Sequence, residues 1–379
     1  MTVAPLFPSN DASMQIAEMN FGLNMLRQSP ASQQMVVSPL SVIFALAMVQ
    51  LGAKGRTKAQ INQLISNGAD DSAIVNFYSD LSKNITKYSN GAQAEIANGF
   101  FLDKKFSIKD DYASTITKRY AAKIEALTFG QPEKAAKVID DFVSTTTEGK
   151  IKNIINEDAL NGACSLIVNA VYFKADWQNK FDIYDTRREI FYHSEKKQEM
   201  IKFMTQDDEY RLYAENNDVQ LLSLPYKDKS YAFNILLPKK RFGLEDLRTQ
   251  LNGLMIRNLL LQLKPELLMI RIPKMKIETN YKLKEALEQM GITDLFTSQA
   301  NLTGISDLPL YPLYVSKAAH RALIEVDEEG TTAAAVTYFG ARLLMGRLVR
   351  EQAKMFKADH PFLFILTKDN NPFFIGQYA

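Results

Sequence analysis

From Ala163 to Phe173 the chain is an almost unbroken run of apolar side chains, with β-branched Ile167, Val168 and Val171 among them. Such a segment has no polar face to offer water, so as a strand it has to be covered on both sides. It therefore belongs in the middle of a sheet with a layer packed on each face, and the chain must be long enough to supply those layers. With 379 residues, of which 46% are hydrophobic and 23% charged, it is. Gly (17) and Pro (13) are too few for a collagenous, disordered or low-complexity chain.

Runs of the same kind recur at 231–237, 267–273 and 361–367. Helical spacing places Ile16, Met19, Leu23 and Leu26 on one face over 14–27, and Val42, Ala45, Leu46 and Val49 on another over 39–51, ahead of Gly52. It returns at 244–251 (Leu244, Leu247, Leu251) and at 281–291 (Leu283, Ala286, Leu287, Met290). Helices thus dominate the first half and strands the second. Length alone suggests about 2.5 domains, yet no linker longer than a turn, no fixed-period repeat and no shift in composition cuts the chain. The pattern predicts one α+β domain over residues 1–379. One segment breaks it: residues 328–358 separate two strand-like stretches by more than ordinary loops span, which marks that segment as functional or mobile.

Several function classes are excluded. Lys plus Arg number 45 against 43 Asp plus Glu, a net charge of +2, and the basic clusters at Lys104-Lys105, Lys118-Arg119, Lys196-Lys197 and Lys239-Lys240-Arg241 are short and scattered, so nucleic acid is not an expected partner. The single Cys164 forbids an internal disulfide and any cysteine-based zinc site. His193, His320 and His360 are the only imidazoles, and no metal is expected. No stretch of apolar residues is long enough to span a bilayer, and residues 1–30 lack a signal-peptide core. The expectation is a chain either cytoplasmic or already trimmed. Two acceptor sequons, at Asn84-Ile85-Thr86 and Asn301-Leu302-Thr303, tilt it toward an extracellular, secreted glycoprotein.

The ordinary catalytic motifs are missing: Gly-x-Ser-x-Gly, His-Glu-x-x-His, a phosphate-cradling Gly-rich loop and a dinucleotide fingerprint. His320 lies in an alternating segment, Lys317 to Val326, where a structural role outweighs a catalytic one. Glu195 and the cluster Asp327-Glu328-Glu329 supply carboxylates, which read either as acid–base groups or as a solvated strand end. The residues after them are unusual. Gly330-Thr331-Thr332-Ala333-Ala334-Ala335-Val336-Thr337 is a run of small and β-branched side chains without charge, which alone reads as an exposed loop or a short Ala-rich helix.

Glu328-Glu329-Gly330-Thr331-Thr332-Ala333-Ala334-Ala335 resembles the reactive-centre-loop hinge of serpins, the conformation-changing protease inhibitors. The resemblance extends over nearly the whole chain. Ser38-Pro39-Leu40-Ser41 with Leu51-Gly52-Ala53-Lys54-Gly55 is similar to the family's helix-B signature, and Val168 to Trp177 followed by Phe181-Asp182 to its central strand. Ile272-Pro273-Lys274 resembles the strand next to the hinge, and Phe356 to Phe364 with Pro372 to Gly376 the carboxyl-terminal strands. There are departures. Asp140 and Phe142 stand where the helix-F signature has Asn and Trp, and Thr332 stands where an acidic residue is usual.

The resemblance implies a serpin fold, with helices packed on three β-sheets and a long exposed reactive-centre loop at about 328–358. It implies no enzyme but a suicide-substrate inhibitor. A serine protease attacks the loop, is held as an acyl-enzyme, and the freed hinge inserts as a strand of sheet A. Alternation along 331–341 sends Thr331, Ala333, Ala335, Thr337, Phe339 and Ala341 to one face, which carries no charge, as burial requires. Ser38, Ser41, Asn169 and His320 fall on the family's shutter, a polar cluster that holds the sheet closed. Trp177, Lys274 and Glu328 fall on the breach at the upper entrance, with Trp177 under the hinge and Lys274 paired to Glu328.

The family's spacing from Glu328 places the reactive bond at Leu344-Met345, suited to chymotrypsin-like or elastase-like enzymes. Counting back from Pro361 gives Arg347-Leu348, suited to trypsin-like enzymes, with Arg342 and Arg350 as outsiders. The two counts differ by roughly 10 Å of strand at about 3.3 Å per residue. Leu343-Leu344 also suits a papain-like cysteine protease, and a non-inhibitory binding or storage role is the remaining alternative. The expected partner is a protease met by a monomer, with no nucleic acid or membrane. Around Lys83, Lys87, Lys104 and Lys105 the chain is not densely basic, so no glycosaminoglycan cofactor is expected.

Overall fold

The apolar run at Ala163–Phe173 becomes a strand, Ser165–Asp176, in the computed structural model, and alternate residues of it enter two different cores. Ile167, Val171 and Phe173 face the main apolar cluster, while Leu166, Val168 and Ala170 face a smaller one with Ile139, Val143 and Phe101. The structure describes residues 10–87, 89, 91–307, 312–331 and 352–379.

The described helices are α1 (Asn10–Arg27), α2 (Pro39–Gly52), α3 (Gly55–Ser66), α4 (Asp71–Ile85), α5 (Asp110–Tyr120), α6 (Pro132–Thr146), α7 (Leu244–Gln250), α8 (Gly253–Leu261) and α9 (Leu283–Gln289). The first strands are β1 (Met35–Val37), β2 (Ala92–Asp103), β3 (Lys123–Leu127), β4 (Ser165–Asp176) and β5 (Arg187–Ser194). They continue with β6 (Lys197–Glu215), β7 (Val219–Pro225), β8 (Tyr231–Pro238), β9 (Lys264–Pro273) and β10 (Met275–Tyr281). The last are β11 (Lys317–Val326), β12 (Gly330–Thr331), β13 (Lys354–Lys357), β14 (Phe362–Lys368) and β15 (Asn371–Tyr378). All four segments with helical spacing are helices, and all four apolar runs are strands.

Helix α2 shows how sequence becomes position. Ser38 caps it by accepting from the Ser41 N–H, and Pro39 opens its first turn, where a missing N–H costs nothing. Apolar side chains all round then allow it to be buried along almost its whole length, beneath the sheet that contains β4.

That sheet has six strands in the order β10-β11-β12-β4-β2-β3, and β11 also pairs directly with β4. The other strands form a nine-stranded ladder, β1-β15-β14-β8-β7-β6-β9-β13, with β5 added on β6. Three sheets were expected, and the reason for two ladders is β6. Its first half pairs with β5 and its last residues with β7, and an irregularity between Gln206 and Glu209, with Asp208 at φ 54°, bends it between the two. One strand thus serves two sheet limbs and joins them by continuous hydrogen bonds.

Candidate functional site

Strands β4 and β11 run parallel, paired from Leu166↔Lys317 to Tyr172↔Leu323. Beyond that point they part, and β12 enters between them antiparallel to both, with Thr331 opposite Val326 and Ala175, and Gly330 opposite Asp176. A short strand therefore already wedges open one end of a parallel pair. Only glycine fits at the tip of the wedge: a Cβ on Gly330 would lie 2.0 Å from the Ala175 carbonyl oxygen. Thr331 is fully buried and its hydroxyl is 2.6 Å from that of Tyr226. The hinge residues Thr332, Ala333, Ala334 and Ala335, the candidate bonds Leu344-Met345 and Arg347-Leu348, and Arg342 and Arg350 lie outside the described residues.

Trp177 packs against the turn that precedes β12. Its ring stacks on Tyr226 at 4.5 Å, its Nε1 donates to the Asp327 carbonyl at 2.8 Å, and its backbone N–H donates to the Glu329 carbonyl at 2.9 Å. The expected Lys274–Glu328 pair is formed at 2.5 Å, and the Thr186 hydroxyl donates to the second Glu328 oxygen at 2.6 Å. Burial works to raise the Glu328 carboxyl, but the hydrogen bonds from Lys274 and Thr186 outweigh it and hold its pKa below the ordinary glutamate value. Glu329 pairs with Lys180. Asp327 is pushed up by burial, although its carboxylate accepts the N–H groups of Glu329 and Gly330. The acidic cluster is therefore not a catalytic constellation: each carboxylate fixes part of the turn that delivers β12.

The shutter residues also meet. Ser41 Oγ donates to Asn169 Oδ1 at 2.8 Å, Asn169 Nδ2 donates to the Ser41 carbonyl at 3.0 Å, and Ser38 Oγ donates to the Phe373 carbonyl at 2.6 Å. His320 bridges the group, with Nδ1 2.5 Å from Asn169 Oδ1 and Nε2 3.1 Å from the Ser38 backbone N–H. Asn98, on β2, accepts from Asn169 at 2.5 Å. Register explains the convergence, because Asn98, Asn169, His320 and Tyr281 lie side by side across β2, β4, β11 and β10. Burial pushes the His320 pKa down to about 3, consistent with the neutral ring that accepts the Ser38 N–H.

Asn98, Lys180, Thr186, Tyr226 and Asp327 complete the site without having been assigned roles in it. Asn98 could have been found only by aligning β2 against β4, since nothing in its own neighbourhood signals a partner. His193 lies beside Glu199, and His360 bonds Asp359 and the Pro238 carbonyl, so the three histidines do not converge. Both sequon asparagines are exposed. Asn84 is in the last turn of α4, and Asn301 Oδ1 accepts from the Thr303 hydroxyl at 2.9 Å. Asp140 accepts the backbone N–H of Ile154, and Phe142 packs edge-on against Phe101, so both departures in α6 are absorbed locally.

The family model described as "Serpin (serine protease inhibitor)" matches residues 17–379. The leukocyte elastase inhibitor of Xenopus tropicalis is 34% identical over 365 residues, covering 93% of this chain and 95% of the relative. Iripin-2 of Ixodes ricinus is 30% identical over 377 residues, covering 97% and 93%. The crystal structure of Serpin48, a highly specific serpin of the insect Tenebrio molitor, superposes with a TM-score of 0.85 at 27% identity, covering 97% of this chain and 96% of that one. With a family match over nearly its whole length, and a wedge of strand where that family's resemblance placed the hinge, the chain belongs to the serpin family.

Proposed function

We propose that the protein is a suicide-substrate inhibitor of a serine protease, cleaved at Leu344-Met345. The observation that carries this reading is the position of β12. Insertion of the residues that follow would exchange one parallel pairing, Leu166–Tyr172 with Lys317–Leu323, for an antiparallel ladder on each side of a new strand. Antiparallel pairing is the more stable per residue, and each added hydrogen bond contributes about 0.5–1.5 kcal/mol net. Intact, the loop is tethered at both ends, by β12 and by β13, and cannot run down the sheet. Cleavage removes the second tether.

The register of Gly330↔Asp176 and Thr331↔Val326, continued, would bring Thr337 opposite both Asn169 and His320. Thr331 points into the core, so Thr337 would as well, placing a hydroxyl at the polar row that insertion has to open. Ala333 and Ala335 would fill the intervening core positions without clash. In the trapping step the protease's serine attacks the Leu344 carbonyl and the amine of Met345 leaves. The acyl-enzyme is then carried with the inserting strand, and distortion of its oxyanion hole stops hydrolysis. The chemistry is the protease's; this chain supplies the ester and the pull.

Chymotrypsin, an elastase, trypsin and a papain-like protease, each mixed with the protein, test this reading. An SDS-stable band near the summed mass, less the fragment from Met345 onward that SDS releases, is expected with an enzyme that prefers leucine, together with cleavage after Leu344 by mass spectrometry and a higher melting temperature for the cleaved chain. Cleavage only after Arg347 moves the reactive bond. A stable band with the papain-like enzyme alone moves the target class, and no band with any of them favours the binding-protein reading. Secretion rests on the sequons, with a cytoplasmic protein as the alternative. A mobility shift of the natural protein on enzymatic deglycosylation supports secretion, and its absence the alternative.

A further inference from the structure

Four of the ten large apolar side chains exposed on the described surface, Ile183, Tyr184, Ile190 and Met200, fall in one short stretch that leads from the hinge pocket into the β5–β6 hairpin. Ile190 and Met200 are direct cross-strand partners. The next pair on the same face is Arg188 and Lys202. Like charges directly opposite each other are unfavourable in a sheet, and among the described residues neither side chain reaches a carboxylate; Arg188 donates only to the Met200 carbonyl. The carboxylate of Glu189, on the other face, is taken by Lys357 at 2.7 Å and Arg271 at 3.7 Å.

The hairpin also lies between the two anchors of the segment the protease must reach. At the hinge end, Thr186 holds Glu328, and the backbone N–H of Lys274 donates to the Lys202 carbonyl at 2.9 Å. At the far end, Lys357 of β13 holds Glu189 of β5. The hairpin therefore borders that segment at both of its described ends.

We propose that Arg188, Ile190, Met200 and Lys202 form a second docking face for the target protease, one whose surface beside its active site is acidic with an apolar patch. The proposal rests on the inhibitory reading above and specifies the partner. Unpaired surface cations act mainly on encounter, so the face raises the association rate at low salt and leaves the partition between trapping and hydrolysis unchanged.

Anionic and cationic trypsin share a cleavage preference and differ in surface charge, and Arg342, Arg347 and Arg350 give the segment arginines that both enzymes prefer. The measured quantity is the second-order rate of loop consumption, complex plus cleaved product, which reads association whether or not the enzyme is trapped. Anionic trypsin is expected to react about three- to tenfold faster at low ionic strength, with the advantage shrinking as salt is raised. It should disappear in Arg188→Glu/Lys202→Glu and persist in Lys118→Glu/Lys134→Glu, which changes net charge equally at exposed positions of α5 and α6. Equal rates for the two trypsins, or equal loss in both variants, overturns the docking face. The SDS-stable band with a leucine-preferring protease decides the inhibitory reading separately.

Discussion

His320 Nε2 accepts the backbone N–H of Ser38 at 3.1 Å while its Nδ1 sits 2.5 Å from Asn169 Oδ1, so one neutral imidazole joins β11 to β4 and both to the cap of α2. Protonation would turn the acceptor nitrogen into a donor facing another donor. The closed sheet therefore depends on a histidine that burial keeps uncharged.

The pH dependence follows in sign. The folded pKa of His320 is about 3 against an ordinary 6.5, so between those values the unfolded chain binds a proton that the folded chain refuses. Stability then rises with pH through that window and falls by up to about 1.4 kcal/mol per unit as the solution is acidified. Urea denaturation at stepped pH should show a steeper loss below pH 6.5 for the wild type than for His320→Ala. At pH 7 the variant should be less stable by roughly 1–3 kcal/mol, because the Ser38 N–H and Asn169 lose a buried partner. Parallel pH curves for the two proteins would remove His320 from this role.

Glu328 binds β12 to its entrance through Lys274 and Thr186. Glu328→Ala should cost about 1–3 kcal/mol, with Lys274→Ala adding little in the same background, since the charged hydrogen bond is already gone. A double-mutant cycle on the unfolding free energy measures the coupling; additive losses would show that the pair is not a unit.

The register of β12, continued, brings Thr337 to the core face opposite Asn169 and His320 only once the strand inserts. Thr337→Arg would bury a charge there, at a desolvation cost of several kcal/mol. Cleavage should proceed at the wild-type rate while the SDS-stable band is lost, because insertion becomes slower than hydrolysis. Retention of the wild-type band intensity would contradict insertion through this register.

Trp177 is the single tryptophan of the chain, and it stacks on Tyr226 beneath the hinge. Its fluorescence should change in intensity or wavelength when the loop is cut and the following residues enter the sheet, with the kinetics of insertion. A spectrum unchanged by cleavage would mean that the hinge does not move past it.

Much of this was legible beforehand, for identifiable reasons. The run Ala163–Phe173 demanded a central strand because no face of it could meet water, and Ser38-Pro39 announced a helix start because a cap and a first-turn proline are local chemistry. Asn98 carried no such signal, since its meaning comes from lying beside Asn169 across two strands. Nor did Thr186, Lys180 and Tyr226, whose partners at the hinge are more than a hundred residues away. The joining of two expected sheets through the bend in β6 was likewise hidden, because the halves of one strand are told apart only by their neighbours. Side-chain size and period thus determined which segments are strands and which are helices. Register decided which polar groups meet in the closed sheet, because hydrogen-bond partners there are set by how strands align and not by how far apart they lie in the chain.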